Sequence, residues 1–327
     1  MKRLLTILIA IMCLFGAFTL SSCDGESESI EIAIVDGAPT LAVYNALKEK
    51  GQIGGYNVNF KILSGAENIA TVITSGQADV AVMPTNISAK LYNNGVDIKL
   101  ASVNIFGVLY MIGSQPITQL TDLNGKIIAY VGAGGTPELT IKLILDRNAV
   151  AYERSAEKIE GKVALTPISS ASEAMTLLKT KKVDYAIVSE PVVTQINSKL
   201  GTSVVLDLQE EWSKIIGEKS YMQAGVVLSH SVYNKGVFVR GLMEVLENNS
   251  SVLLKDYANV KQTLIDAGSS IRVDFTEDTI KRLNIGHLSA VGAKPSLEKY
   301  YNALLEYDPK LIGGKLPDDN FYLGYEK

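Results

Sequence analysis

Cysteine is almost absent from this chain. There are two in 327 residues, Cys13 and Cys23, both in the N-terminal leader region. The remainder therefore has no disulfide, no thiolate nucleophile and no cysteine metal site. Histidine is as scarce: His230 and His287 are too few for a transition-metal cage, although oxygen ligands for a hard cation stay open. No Gly-x-Ser-x-Gly elbow and no Ser-His-acid set can be assembled from the predicted strand-end loops. Gly132-Ala133-Gly134-Gly135-Thr136-Pro137 contains Gly-x-Gly, but it lacks the full dinucleotide fingerprint and the Lys-Ser/Thr of a P-loop. Long basic runs are missing as well. Lys179, Lys181 and Lys182 come closest, and the overall balance is acidic at −4, so nucleic acid is not an expected partner.

What is present begins with a leader. Lys2 and Arg3 precede an apolar stretch from Leu4 to Leu20, the pattern of a secretion signal covering residues 1–22. Losing those two cations takes the formal net charge from −4 to −6. Leu20-Ser21-Ser22-Cys23 resembles a bacterial lipobox. The resemblance implies lipidation of Cys23, palmitate included, and cleavage before it, with residues 23–29 as a short acidic, Ser-rich tether. The competing reading, a transmembrane anchor, sits near the short limit of length.

The rest has the composition of an ordinary globular protein, 47% hydrophobic and 20% charged. Strands and helices alternate from Ile30 to Ser229, with a helical final hundred residues. Two stretches echo each other: Ser64 to Asn86 and Ser170 to Pro191 both run Ser-rich loop, helix, turn, Asp-x-Ala-hydrophobic strand and Pro-bearing loop. The order predicts an α/β fold of two lobes with mostly parallel sheets. The helical end needs a sheet to cover, so lobe one is expected to be discontinuous, 30–113 and 224–327, with lobe two at 114–223. Asp79 and Asp184, just before the echoed strands, are expected to be structural.

In open parallel sheets, ligands bind beyond the carboxyl ends of strands. Five loops lie there: Asp36–Thr40, Ser64–Glu67, Met83–Asn86, Gly132–Pro137 and Ser189–Pro191. Three run straight into helices, offering backbone N–H groups and a positive helix end to an anion. None of the five contains arginine. Glu190 and Asp36 are candidates for a cationic group on the ligand. Tyr44, Trp212 and Tyr221 could wall a ring-bearing ligand or pack in the core.

The chain also resembles a family. Ser75-Gly76-Gln77-Ala78-Asp79-Val80-Ala81-Val82-Met83-Pro84, Leu123-Asn124-Gly125-Lys126-Ile127-Ile128-Ala129 and Val183-Asp184-Tyr185-Ala186-Ile187-Val188-Ser189-Glu190-Pro191 are similar to segments of ABC-importer solute-binding proteins. The group is that of nitrate, sulfonate, taurine and thiamine precursors, with the type II periplasmic-binding fold. The resemblance covers residues 30 to 230. It implies a small organic solute held in a cleft between two lobes, contacted by Asp36, Gly37, Pro39, Thr40, Ser64, Gly65, Pro84, Thr85, Asn86, Gly134, Gly135, Thr136 and Glu190. It implies a permease and ATPase as partners, a monomer without cofactor or metal, no enzymatic activity, and a lipid anchor through Cys23 on the extracytoplasmic face of the membrane. The other readings are a surface lipoprotein that binds a protein and an enzyme on the same fold.

Overall fold

The computed structural model describes residues 29–48, 51–63, 68–218 and 221–324. The leader, Cys23, Ser64 and Gly65 lie outside these residues. No helix among the described residues is long and apolar enough to cross a membrane.

Thirteen strands are described: β1 (Ser29–Val35), β2 (Gln52–Ile53), β3 (Tyr56–Leu63), β4 (Val80–Pro84), β5 (Ile98–Ile105), β6 (Leu109–Gly113), β7 (Ile127–Val131), β8 (Tyr152–Arg154), β9 (Val163–Ile168), β10 (Tyr185–Ser189), β11 (Ser203–Asp207), β12 (Ala224–Ser229) and β13 (Ile285–Ser289). They form two sheets, in the orders β13-β5-β12-β4-β1-β3-β2 and β11-β6-β10-β7-β9-β8. The alternation of side chains decides the layering. Ile30, Ile32, Ile34, Val80 and Val82 pack beneath Phe238, Leu242 and Leu246 of the helix Gly236–Glu247. Ala33, Ala81 and Met83 face the other way, toward Leu297, Tyr300 and Leu304 of the helix Ala290–Tyr307. The second sheet repeats the plan. Ile128, Tyr130, Leu165 and Ile187 meet Ile141 and Ile144 of the helix Thr136–Arg147, while Ala129, Ala186 and Val188 meet Ala174, Val193 and Ile196.

The echo in the sequence is an echo in structure. Asp79 accepts the Glu31 amide at 2.9 Å, at the start of β1. Asp184 accepts the Ile127 amide, also at 2.9 Å, at the start of β7. Each carboxylate ties the strand it precedes to its parallel neighbour, so both aspartates are scaffold.

Four expectations are corrected. The apolar run Ile98–Ile112 is two strands in two different sheets, broken at Gly107 (φ 102°). Leu109–Gly113, grouped by sequence with residues 30–113, pairs with β10 and β11 of the second sheet. The chain therefore crosses at Phe106–Val108 rather than near 112–116, and it returns to the first sheet at Ala224. Neither sheet is wholly parallel. β12 is antiparallel to both of its neighbours, and so is β6, because each enters its sheet from the crossing end. Finally, residues 276–285 do not form one helix. The helix Glu277–Arg282 is followed by the edge strand β13, and the last long helix begins at Ala290 rather than Pro295, with the Ser289 hydroxyl accepting the Gly292 amide.

β12 lies between β4 and β5, where the backbones approach closely. A Cβ at Gly225 would fall 2.1 Å from the Ser102 carbonyl oxygen. Gly225→Ala should therefore destabilise the fold by about 1–3 kcal/mol, the usual cost of overpacking. Urea denaturation would read this as a lower midpoint, and an unchanged midpoint would show that β5 and β12 are not so closely apposed.

Candidate functional site

The two crossings are stitched together by side-chain amides. Gln223 accepts the Val108 amide at 3.0 Å, and Gln209 accepts the Leu109 amide at 2.7 Å. Gly107 is needed here sterically as well: a Cβ would sit 1.9 Å from Gln209 Cγ. Asn284 joins this hinge by donating to the Gly107 carbonyl at 2.8 Å and accepting the Phe106 amide at 3.0 Å.

Directly against the hinge stands Glu190, fully buried, its own amide donating to the Val108 carbonyl. A buried carboxylate is tolerated only when paired and hydrogen-bonded. Arg282 Nε donates to Glu190 Oε1 at 2.7 Å, the Thr194 hydroxyl to the same oxygen at 3.0 Å, and the Thr194 amide to Oε2 at 3.1 Å. Arg282 Nη2 also donates to the Thr194 hydroxyl, which lies 3.1 Å from that of Thr279. The Tyr110 hydroxyl donates to the Arg282 carbonyl at 2.7 Å. Burial, with the nearby Asp207 and Glu190 charges, pushes that phenol up, so it remains a donor. Glu190 thus clasps the segment 277–282, which leads into the first sheet, to the second lobe.

Asp36 is engaged in the same way. Ser269 Oγ donates to its Oδ1 at 2.5 Å, and the amide and hydroxyl of Ser270 donate to Oδ2 at 2.7 and 2.6 Å. Residues 269–284 therefore form a strap along the base of the cleft, held by Asp36 at one end, Glu190 near the other and the hinge at Asn284.

The strap borders an interlobe cleft of about 470 Å3. Asp36, Gly37 and Ile62 wall it from the strand ends of the first sheet, and Ser172, Ser189, Pro191 and Gln195 wall it from the second. Gly268 and Ser270–Val273 form the third wall. Two larger grooves, of about 660 and 700 Å3, lie elsewhere. One is bounded by Leu47, Phe60 and Asp266, entirely on the first lobe; the other lies behind the hinge, at Phe106, Asp207 and Asn284. Neither sits at the strand ends of both sheets.

The remaining sequence candidates separate from this cleft. Thr40 is buried with its hydroxyl on the Val35 carbonyl, and Pro39 is half-buried in the short helix Ala38–Leu41. Thr85 is buried after Pro84, bonded through its hydroxyl to the Met222 carbonyl at 2.5 Å. Asn86 is nine-tenths buried, and its Oδ1 has no hydrogen-bond partner. The Gly134–Thr136 loop opens a helix, but the Glu138 carboxylate already accepts the Gly134 amide at 2.7 Å and pairs with Lys142 at 2.5 Å. Burial opposes that charge; the Gly134 amide and Lys142 ammonium outweigh it and hold the carboxyl below its ordinary range. Gly135 and Thr136 thus head a helix end whose positive pole is met from within. Tyr44, Trp212 and Tyr221 are core. Trp212, Tyr221 and Tyr300 stack with centroids 4.9–5.4 Å apart, filling the other side of the lobe contact.

Sequence reasoning missed Arg272. It lines the cleft, exposed, with Nη1 donating to the carbonyls of Ser269 and Ile271 at 2.7 and 2.8 Å, and it has no carboxylate partner among the described residues. Its only sequence signal was its place in a Gly-Ser-Ser turn between two helices, far along the chain from any parallel strand end. Among the described residues no group of three His, Cys, Asp or Glu side chains could hold a metal ion.

No protein-family model matches the chain, and no curated protein matches it. Solved structures do resemble it. An ABC transporter protein from Parabacteroides distasonis superposes with a TM-score of 0.75 at 22% identity, over 91% of this chain and 99% of that one. The periplasmic aliphatic sulphonate binding protein SsuA from Escherichia coli gives 0.67 at 13% identity, over 90% and 97%. The ligand-binding component of an ABC-type import system from Staphylococcus aureus, with zinc bound, gives 0.64 at 11% identity, over 91% and 97%. At these identities the likeness shows the fold: two α/β lobes in the type II periplasmic-binding arrangement.

Within this fold the clasp can be broken from its exposed side. Arg282→Ala strands the Glu190 carboxylate without its cation, a loss of about 3 kcal/mol for a buried pair. Adding Glu190→Gln should recover part of that by removing the orphan charge. Denaturant midpoints of the single and double variants read both steps. An Arg282→Ala protein as stable as the parent would mean that water already satisfies Glu190.

Proposed function

We propose that this chain is the solute-binding component of an ABC importer, capturing a small organic solute between two lobes and presenting it to a permease and its ATPase. The observation that carries the reading is the 470 Å3 cleft, walled by the strand ends of both sheets and by the strap. That volume suits a small metabolite. The fold shared with import-system binding proteins supports the same reading. The lobes divide at Phe106–Val108 and between Asp207 and Ala224. Two thin connections of this kind favour hinge motion. Asp36–Gly37 and Ser189–Pro191 form the rims, Arg272 faces the solute, and Asn86 offers an enclosed acceptor to a donor on it. The protein binds without converting its solute and acts as a monomer.

The reading includes the leader. Leu20-Ser21-Ser22-Cys23 directs export and lipidation, so the mature protein is held at the extracytoplasmic face of the membrane by lipid on Cys23.

Two measurements test this. Mass spectrometry of the purified protein should find about one equivalent of a small solute that is released on denaturation chemically unchanged. Conversion of that solute on incubation would make the protein an enzyme. Separately, Cys23→Ala should move the protein from the membrane fraction to the soluble fraction and abolish incorporation of labelled palmitate; a variant that stays membrane-bound removes the anchor.

A further inference from the structure

The strap reverses the charge that the site presents. Both acids expected to face the ligand are engaged elsewhere. Glu190 is buried against Arg282, and Asp36 takes three hydrogen bonds from Ser269 and Ser270. Those bonds position the neighbouring residues, and two positions on from Ser270 stands Arg272. Its Nη1 is fixed by the Ser269 and Ile271 carbonyls. Its Nε and Nη2 edge, the one that matches two oxygens of a carboxylate or sulfonate, makes no hydrogen bond among the described residues.

The other walls agree. Across from Arg272, the second lobe contributes Ser172, Ser189 and Gln195, all neutral and able to donate. Asp36 and Arg272 are the charged residues of the lining, and Asp36 is already neutralised by donors. The helix ends that could have drawn an anion are met by Glu138 and Glu190 of the chain itself. The demand for an anion therefore falls on one guanidinium.

We infer that Arg272 is the anion-recognising residue of the interlobe cleft, and that the solute carries a compact oxyanion, a carboxylate, sulfonate or phosphonate, gripped by the Nε/Nη2 edge. The inference rests on the solute-binding reading above and sharpens it. As the lobes close, water leaves the cleft and the pair strengthens in the lower dielectric, so the anion also favours closure.

The test uses matched probes on the full chain: ethanesulfonate, butyrate and propylphosphonate against ethanesulfonamide, butyramide and dimethyl propylphosphonate. At least one anion should raise the melting temperature while its neutral counterpart does not; which anion does so identifies the oxyanion. Calorimetry should show Arg272→Gln weakening that anion by about tenfold or more, and Arg272→Lys by less, since a point charge replaces the fork. The unliganded Arg272→Gln protein should melt with the parent, because the side chain is exposed. Neutral probes binding as well as the anions, undiminished binding to Arg272→Gln, or no anion binding at all would each overturn the inference. Mass spectrometry separates this from the parent reading. A neutral solute carried equally by the parent and Arg272→Gln sinks the anion while leaving the solute receptor, whereas a protein that carries no solute sinks the receptor.

Discussion

A fully buried carboxylate has to be paired, and in this molecule that requirement falls on Glu190. Arg282 meets it from a different part of the chain, and Thr194 supplies the remaining donors. The consequence reaches past the pair. To bring Arg282 to Glu190, the segment 269–284 must lie along the hinge, where Asn284 locks onto Gly107 and Phe106. Asp36 fixes the other end of the same segment. The cleft thus has three walls, and the third is positioned by acids from the other two.

That arrangement separates support from recognition. Helix N-termini attract anions, and this chain satisfies its own. Glu138 answers the Gly134 amide, Glu190 answers Thr194, and Glu173 accepts the amide and hydroxyl of Ser169. Exposed donors at these ends would bind many anions weakly. With the ends capped, discrimination passes to a single side chain whose planar fork has defined geometry. On the opposite side of the lobe contact, Trp212, Tyr221 and Tyr300 form a buried aromatic joint, so solute enters from the strap side.

The scaffold was largely legible in the sequence because its signals are local. The period-two alternation of Ile30–Ile34, the Asp-x-Ala echo at Asp79 and Asp184, and the helix Val192–Leu200 all read directly from neighbouring residues. The first crossing was not legible. Ile98–Ile112 is uniformly apolar, and hydrophobicity does not say which of two buried sheets a residue joins. β13 was hidden because Ile285–Ser289 has no strand-like run longer than a turn and holds its place through pairing with β5. The site was legible by location more than by chemistry. Asp36, Gly37 and the Ser189–Pro191 loop do reach the cleft, as strand-end geometry requires. The roles of Asp36 and Glu190 inverted because their partners, Ser269–Ser270 and Arg282, lie far away in sequence. Arg272 went unread for the same reason.

The central claim is that three separate stretches of the chain close on one solute. Amide hydrogen exchange, with and without the solute the protein carries, tests it directly. The account predicts simultaneous protection of residues 36–40, 171–172 with 189–195, and 268–273, with little change in the groove behind the hinge. Protection confined to one lobe, or centred on Phe106, Asp207 and Asn284, would contradict it.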